Sequence, residues 1–269
     1  MEMDLQQIGV GHPAVRDVLD IQRNTANKFR LFVAEGLWEN NVVLDTKLDV
    51  DTFFWCPELT YSSEAQKRAD ELVTVARRSF RVSEKTMDRM TEKGKPDGLV
   101  STVKLPSWEP DAIELDKSAL VLVTDGVEIP GNLGTLLRTL DAVNGDLLIM
   151  TNRRTRMSHP KVLRASQGMS VRVPHLEFEN TADAAAWLKA RRFTVYLADT
   201  DDSINYRTAD FSGRTAIVVG SERYGVSKPW YEHGFKCIGV PMLGYADSLN
   251  VAVSASVLLY EAKARKAGW

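Results

Sequence analysis

Five short apolar runs constrain the fold of this chain more than any other feature. None of them alternates with polar residues, as strands covered on both faces of a sheet require. The runs are Ala119–Val123, Leu147–Met150, Val195–Leu197, Ala216–Val219 and Ile238–Val240. Helical segments separate several of them, most clearly Leu133–Val143 and Thr181–Arg191. Strands that alternate with helices indicate a parallel sheet, so we predict an α/β fold for this part of the chain.

The first hundred residues predict a smaller, mixed α/β unit. We expect strands at Arg30–Gly36, Asp51–Cys56, Ser79–Val82 and Gly98–Lys104, and helices at Leu37–Val43, Ser63–Ala76 and Lys85–Met90, the last capped by Ser83. Two prolines and the lack of periodicity mark Leu105–Asp111 as a linker. The predicted domains are therefore residues 1–107 and 115–269.

Composition excludes several functional classes. The 269 residues carry 34 Lys and Arg against 36 Asp and Glu, a net charge of -2, so any nucleic-acid surface must be a local patch. The two cysteines, Cys56 and Cys237, lie far apart, and the four histidines are scattered, so we expect neither a metal site nor a disulfide framework. The N-terminus does not resemble a signal peptide, and the uncharged stretch Ser248–Tyr260 is too short to span a membrane, so we expect a cytoplasmic protein.

Ligands of an open α/β sheet bind beyond the carboxyl ends of its strands, and three segments there carry candidate chemistry. In the first, Asn132 can cap a helix between Gly131 and Gly134, and Arg138 lies off the apolar stripe of that helix. The simpler interpretation is an exposed helix arginine. A dinucleotide loop is a weaker interpretation, because the glycine spacing is not GxGxxG.

The other two segments follow the last two apolar runs. Gly220-Ser-Glu-Arg-Tyr-Gly225 places a carboxylate beside small residues at the sheet edge, although it can equally be a plain strand-to-helix turn. Beyond Pro241, Ser248 and Asn250 precede an apolar helix, which Ser248 is expected to cap.

Together these segments resemble, in order and spacing, the three motifs of the SpoU (TrmH-like) branch of the SPOUT RNA methyltransferases. The matching residues are Asn132-x-Gly134-x-x-x-Arg138-Thr139, Gly220-Ser221-Glu222-x-x-Gly225, and Pro241-Met242 through Ser248-Leu249-Asn250-Val251. The segment His159–Gly168 is similar to the family's stretch between the first two motifs. Phe32–Gly36 and Gly98–Val100 resemble landmarks of the ribosomal-protein-like substrate-binding domain that often precedes the catalytic domain.

The resemblance implies a C-terminal parallel-sheet SPOUT domain with a deep trefoil knot, a homodimer, and S-adenosylmethionine as the methyl donor to a ribose 2′-hydroxyl of RNA. It implies that Arg138 activates the hydroxyl, within a polar group of Asn132, Glu222, Ser248 and Asn250 in which Glu222 is the arginine's negative partner. It places the donor's pocket at Leu197, Ala198, Gly220, Ile238, Met242 and Leu249.

The expected partner is RNA, because the 2′-hydroxyl distinguishes it from DNA. The candidate phosphate contacts are Arg77, Arg78, Arg81, Lys93, Lys95, Arg153, Arg154 and Arg156, each of which can also be an ordinary solvated side chain. Ribosomal RNA processing is favoured over transfer RNA modification. One alternative is a non-catalytic RNA-binding or ribosome-assembly factor. Another is a nucleotide-dependent oxidoreductase, although the sequence lacks the glycine fingerprint of that class. Gln167 stands where thiopeptide-resistance members tend to carry arginine, so a resistance enzyme is not favoured.

Overall fold

The computed structural model describes residues 5–23, 30–92, 97–201 and 203–268. Two compact units are present: Met1–Pro106 with Ser158–Pro160, and Ser107–Met157 with Lys161–Trp269. Each unit has its own sheet. None of the helices in the described ranges is both long and apolar enough to cross a lipid bilayer.

The first unit contains a five-stranded mixed sheet in the order β1-β4-β3-β5-β2. The strands are β1 (Gln7–Ile8), β2 (Leu31–Glu35), β3 (Val50–Trp55), β4 (Arg78–Val82) and β5 (Leu99–Lys104). Strand β5 runs antiparallel to β2 and β3, whereas β4 is parallel to β1 and β3. The order along the chain therefore differs from the order in space, and β5, the last strand, lies between β2 and β3.

Among the described residues, four α-helices accompany this sheet: α1 (Pro13–Arg23), α2 (Gly36–Asp45), α3 (Ser63–Val75) and α4 (Glu84–Met90). Serine side chains cap two of them, because Ser62 accepts a 3.0 Å hydrogen bond from the Ala65 amide and Ser83 a 3.4 Å bond from the Thr86 amide. Helix α1 and strand β1 were not predicted. Directly after β3, burial and a hydrogen bond to Glu58 raise the pKa of the Cys56 thiol to about 12.

The second unit contains a seven-stranded sheet in the order β10-β12-β9-β11-β6-β7-β8. Its strands are β6 (Leu120–Asp125), β7 (Leu147–Thr151), β8 (His175–Glu177), β9 (Thr194–Ala198), β10 (Ile204–Asn205), β11 (Thr215–Val219) and β12 (Lys236–Gly239). Every neighbouring pair is parallel. The predicted α/β fold with a parallel sheet is confirmed. Each predicted apolar run overlaps one of these strands, although Ala119 and Val240 lie one residue outside β6 and β12.

Helices cover both faces of this parallel sheet, which is why its strands are apolar without alternation. The helices are α5 (Pro130–Ala142), α6 (Pro160–Ala165), α7 (Thr181–Ala190), α8 (Lys228–Tyr231) and α9 (Val251–Ala267). Leu120 and Leu122 of β6 belong to an apolar cluster that includes residues of α5 and α9. Their neighbours Val121 and Val123 belong to a second cluster, with residues of α7 and the fully buried Trp230 of α8.

Candidate active site

A cavity of about 1220 Å³ opens at the carboxyl ends of β9, β11 and β12 in the second unit. This is the edge where an α/β sheet binds ligands. Neighbouring backbone comes close to two glycines that line the cavity. A Cβ at Gly220 would overlap the backbone of Gly225 and Val226, and one at Gly239 would lie 2.7 Å from the Asp199 carbonyl oxygen. Both positions therefore require glycine for close approach of neighbouring backbone.

Five of the six residues predicted to hold a cofactor line this cavity: Ala198, Gly220, Ile238, Met242 and Leu249. The sixth, Leu197, lies one residue further back in β9, where it is fully buried in the apolar core and is not part of the lining. The difference follows from the strand register, since Ala198 is the last residue of β9 and the chain leaves the sheet there.

Three of the predicted polar residues form one hydrogen-bonded cluster at the cavity. The Asn132 side-chain amide donates a 2.7 Å bond to Glu222, and its oxygen accepts a 3.2 Å bond from the side-chain amide of Asn250. Glu222 and Asn250 also line the cavity, whereas Asn132 is not part of the lining. The first, second and third motifs are thus joined through single side chains.

The carboxylate of Glu222 accepts two further hydrogen bonds, from the backbone amides of Glu128 at 3.0 Å and Ile129 at 3.2 Å. Desolvation acts to raise the pKa of Glu222, but the bonds from Asn132 and these amides outweigh it and lower the pKa below its usual value. Glu222 is therefore a charged acceptor that fixes the start of α5.

The expected helix caps differ from the observed ones. Helix α5 begins at Pro130, a residue favoured at the first helical position, so its cap is Ile129 and Asn132 lies within the first turn. Helix α9 is capped by Asn250, whose side chain accepts a 2.9 Å bond from the Ala252 amide. Ser248 is not the cap: it is exposed and donates to Asp247 at 3.0 Å.

Arg138 lies apart from the cluster. It is exposed on α5 and makes no hydrogen bond or ion pair with any residue that the structure describes. Six residues along a helix span roughly 9 Å, which separates Arg138 from Asn132 along the axis. The expected pairing of Arg138 with Glu222 is therefore wrong for a single chain, because amide groups occupy the carboxylate instead.

Two further carboxylates near the strand ends were missed by the sequence analysis. Asp125 ends β6 and is 2% exposed, and Asp199 follows β9, where it lines the cavity and accepts a hydrogen bond from the Tyr231 hydroxyl. Burial and the Asp199 carboxylate raise the pKa of Tyr231. A polar residue directly after an apolar strand is the signal that could have found both.

The predicted RNA-contacting arginines of the first unit are each paired with a carboxylate. Arg77 contacts Asp49 at 2.6 Å, and Arg78 contacts Asp51 at 2.8 Å. Arg81 likewise contacts Glu58 at 2.9 Å. These partners neutralise much of the cluster's positive charge. Lys93 and Lys95 lie outside the described residues.

The second predicted basic cluster, in the second unit, is only partly neutralised. Arg153 contacts Glu177 at 3.2 Å, and Arg156 is half-buried. Arg154 is exposed and has no ion-pair partner in the described part of the chain. Of the arginines predicted to contact RNA, Arg154 is thus the one best placed to receive a phosphate.

The arrangement suits the binding of a small polar molecule with an apolar part, beside a fixed group of amide and carboxylate side chains. Backbone groups at three strand ends can contact the edges of such a ligand, while Ile238 and Met242 provide apolar walls. Within the described ranges no group of three or more His, Cys, Asp or Glu side chains has an arrangement that could hold a metal ion.

This chain is similar to a known protein family and to several known proteins. A family model described as the SpoU rRNA Methylase family matches residues 119–260. A protein of Staphylococcus saprophyticus assigned to the TrmH family of tRNA/rRNA methyltransferases is 36% identical over 146 residues, which are 54% of this chain and 59% of the relative. That alignment therefore spans less than two thirds of the relative's length.

Two further matches extend over more of the chain. A 23S rRNA (uridine(2479)-2'-O)-methyltransferase of Streptomyces viridochromogenes is 29% identical over 206 residues, or 74% of this chain and 72% of the relative. The crystal structure of an AdoMet-bound rRNA methyltransferase from Sinorhizobium meliloti matches with a TM-score of 0.87 and 25% identity, covering 97% of this chain and 98% of that one.

Proposed function

This chain belongs to the SpoU rRNA Methylase family, and from that membership we propose that it transfers a methyl group from S-adenosylmethionine to the 2′-hydroxyl of a ribose in RNA. The observation that carries the proposal is the cavity at the strand ends, bordered by the hydrogen-bonded Asn132, Glu222 and Asn250. The relatives named as RNA methyltransferases support the same activity.

The residues around the cavity fit S-adenosylmethionine. Small-molecule sites usually measure roughly 300–1,000 Å³, so a cavity of about 1220 Å³ has space for this donor and for part of a nucleotide. Ile238, Met242 and Leu249 offer apolar surface to an adenine ring, and the backbone beside Ala198 and Gly220 offers hydrogen bonds to its edge. When bound, S-adenosylmethionine supplies a methyl group that is already activated by its sulfonium.

The side chains then have to orient a ribose hydroxyl and stabilise the charge that develops on its oxygen. The Asn132, Glu222 and Asn250 cluster fixes the polar border, and exposed Ser248 beside it is available to contact the ribose. Arg138 has the one group in the set that stays protonated at neutral pH, so we assign it the stabilisation of the alkoxide rather than removal of the proton.

A homodimer gives Arg138 access to a cavity. Within one chain Arg138 is not part of the cavity lining, and its exposed guanidinium has no partner among the described residues. In a twofold-symmetric pair, a residue of one subunit can be placed at the other subunit's site. Our proposal is that Arg138 acts at the cavity of the second subunit.

The remaining parts of the proposal concern domains and substrate. The first unit serves as the RNA substrate-binding domain of ribosomal-protein-like type, and the second is the catalytic domain, with a deep trefoil knot near its C-terminal end. Arg154 and neighbouring arginines bind RNA phosphates. Ribosomal RNA processing is favoured over transfer RNA modification because of the additional N-terminal unit and the named 23S rRNA relative. We also propose that the protein acts on this substrate in the cytoplasm.

The test is transfer of tritiated methyl from S-adenosylmethionine to purified ribosomal RNA and transfer RNA, with alkali-resistant ribose mapped afterwards. We expect signal in ribosomal RNA that disappears with Arg138→Ala, while cofactor binding is kept. Cofactor binding without transfer to either RNA would instead favour the non-catalytic RNA-binding or ribosome-assembly factor. Methyl groups found in transfer RNA alone would assign the transfer RNA alternative.

A further inference from the structure

Two loops at the cavity edge are linked by reciprocal hydrogen bonds, in which a carboxylate from each side accepts from a backbone amide of the other. The first loop follows β6 and comprises residues 126–129; the second follows β11 and comprises residues 220–227. The Glu222 carboxylate of the second loop accepts hydrogen bonds from the backbone amides of Glu128 and Ile129 in the first. Asp125 lies immediately before the first loop, and Ser227 lies at the end of the second. The Asp125 carboxylate accepts a 2.7 Å hydrogen bond from the backbone amide of Ser227.

The carboxylate of Asp125 has little freedom to leave this position. It is 2% exposed, and its second oxygen accepts bonds from the Thr151 hydroxyl at 2.9 Å and the Asn152 side-chain amide at 2.6 Å, both at the end of β7. A buried carboxylate with three donors is costly to reorient, because each donor would lose its acceptor away from water. Asp125 thus anchors Ser227 to the ends of β6 and β7.

Ser227 comes directly after residues 220–226, which form one wall of the cavity. Residues 220–226 all line it, and a backbone pairing between Ser221 and Gly225 closes them into a tight turn. The bonds of Glu222 hold the middle of this turn, and Asp125 holds its far end. Asp125 itself does not line the cavity.

We infer that Asp125 is a positioning residue for the methyl donor: it holds residues 220–226 in the conformation that binds S-adenosylmethionine, and so determines the affinity for that donor without touching it. This inference rests on the proposed function. It predicts that losing the bond between Asp125 and Ser227 weakens donor binding more than it weakens RNA binding.

The first experiment compares Asp125→Asn with a matched control, Asp146→Asn. The Asp146 carboxylate accepts the Leu120 backbone amide at 2.7 Å, at the opposite end of the same strand β6 and away from the cavity lining. Calorimetry gives the Kd for S-adenosylmethionine and for S-adenosylhomocysteine, filter binding gives the Kd for RNA, and thermal unfolding gives Tm. We expect D125N to raise the Kd for each small ligand about 10-fold or more, which is the effect of losing one charged hydrogen bond. The Kd of D125N for RNA should not change. The control D146N should bind the small ligands and RNA with affinities close to those of wild type.

The second experiment removes the donor instead of the acceptor. Ser227→Pro deletes the backbone N–H that Asp125 accepts, and the φ of -71° at Ser227 is compatible with proline. Ser227→Ala keeps the N–H and removes only the hydroxyl, so it should bind the donor like wild type. If Asp125 acts through this amide, D125N and S227P are non-additive in a double-mutant cycle on the Kd for S-adenosylmethionine.

The outcomes separate this inference from the proposed function. Wild-type protein that binds neither S-adenosylmethionine nor S-adenosylhomocysteine would overturn the proposed function itself. Wild-type binding with unchanged affinity in D125N, or an equal loss in D125N and D146N for the same fall in Tm, would overturn the positioning role alone. Should D125N not fold, S227P against S227A decides: equal donor affinity in those two variants also overturns it.

Discussion

Asn132 and Glu222 are joined by a 2.7 Å hydrogen bond between side chains that lie 90 positions apart in the sequence. The bond links the first turn of α5 to the loop after β11, and Asn250 extends it to the start of α9. A single polar cluster thereby fixes three separate segments around the cavity. Its members should differ in what they contribute to activity and to stability.

Substituting Glu222 by glutamine should impair methyl transfer strongly. The amide of Gln would direct an N–H at groups that are themselves donors, namely the Asn132 side chain and the amides of Glu128 and Ile129. Loss of a charged acceptor costs about 1.5–3 kcal/mol, or roughly 10–100-fold in rate. Single-turnover transfer measures this, with the exposed Glu179→Gln as the control. Equal rates for E222Q and wild type would contradict the assigned role.

The stability contributed by Glu222 should disappear in acid. Its pKa is lowered in the folded protein, since hydrogen bonds from Asn132 and two backbone amides outweigh desolvation. Such a group stabilises fully above its unfolded pKa, and the contribution is lost as the pH falls through the folded pKa. The Tm difference between wild type and E222Q should thus stay constant from pH 7 to about 5 and shrink below about 4.5. A difference that persists or grows towards pH 3 would refute this assignment.

Ser248 and Asn250 should separate activity from stability. Asn250→Ala removes the cap of α9 and should lower the free energy of unfolding by about 1 kcal/mol. The same substitution should also reduce the rate of methyl transfer. Ser248→Ala removes a hydroxyl whose contact is the exposed Asp247, so Tm should not change, whereas transfer should fall about 10-fold or more if Ser248 contacts the ribose. Denaturant unfolding and transfer assays on both variants check this. A lower Tm in S248A with normal transfer would reverse the two assignments.

Arg154 should matter more for RNA binding than Arg77. Arg154 has no ion-pair partner in the described ranges, whereas Arg77 contacts Asp49, whose pKa is lowered by its hydrogen bond from Lys104 and by the charge of Arg77. Filter binding across a salt series should show the salt slope falling by about 0.7–0.9 in Arg154→Ala, as expected for one lost phosphate contact. Arg77→Ala should change it less. The opposite ranking would place the RNA on the first unit's arginine cluster.

Mixed dimers should test whether Arg138 acts at a second subunit. Arg138→Ala leaves the cavity intact, and Gly220→Val blocks it because any Cβ there overlaps the backbone of Gly225 and Val226. If the site combines two subunits, co-expression of the two inactive variants should restore about a quarter of wild-type activity by random pairing of subunits. Activity that stays at background in mixed dimers isolated with two affinity tags would place Arg138 at its own chain's cavity.

Much of the second unit's architecture could be predicted because its strands are buried on both faces, and burial leaves a continuous apolar run in the sequence. Strands β8 and β10 were missed, since they are three and two residues long and include polar residues. Helix α1 carried a detectable signal, with Ala14, Val18 and Ile21 buried at helical spacing. Short edge strands offer no comparable pattern.

The candidate site was less predictable, because its contacts depend on the order of strands in space. The residues Asn132, Glu222 and Asn250 could be selected from motif spacing, but their mutual bonds arise because β11 lies beside β6. The family resemblance implied an Arg138–Glu222 pair, and nothing in the linear pattern shows that the Asn132 side chain and two backbone amides donate to Glu222 instead. Local sequence likewise placed the cap of α5 three residues too late and the cap of α9 two residues too early.

The strand order also has a consequence for synthesis of the protein. In the finished sheet β6 lies between β7 and β11, and Thr215 of β11 pairs with Leu120 of β6. A chain elongating at about 5–20 residues per second makes these strands roughly 5–20 s apart. During that interval one edge of the apolar Leu-Val-Leu-Val segment has no hydrogen-bonding neighbour, and open apolar edges recruit strands from other chains. The nascent chain, rather than the completed protein, is therefore the form most prone to aggregate.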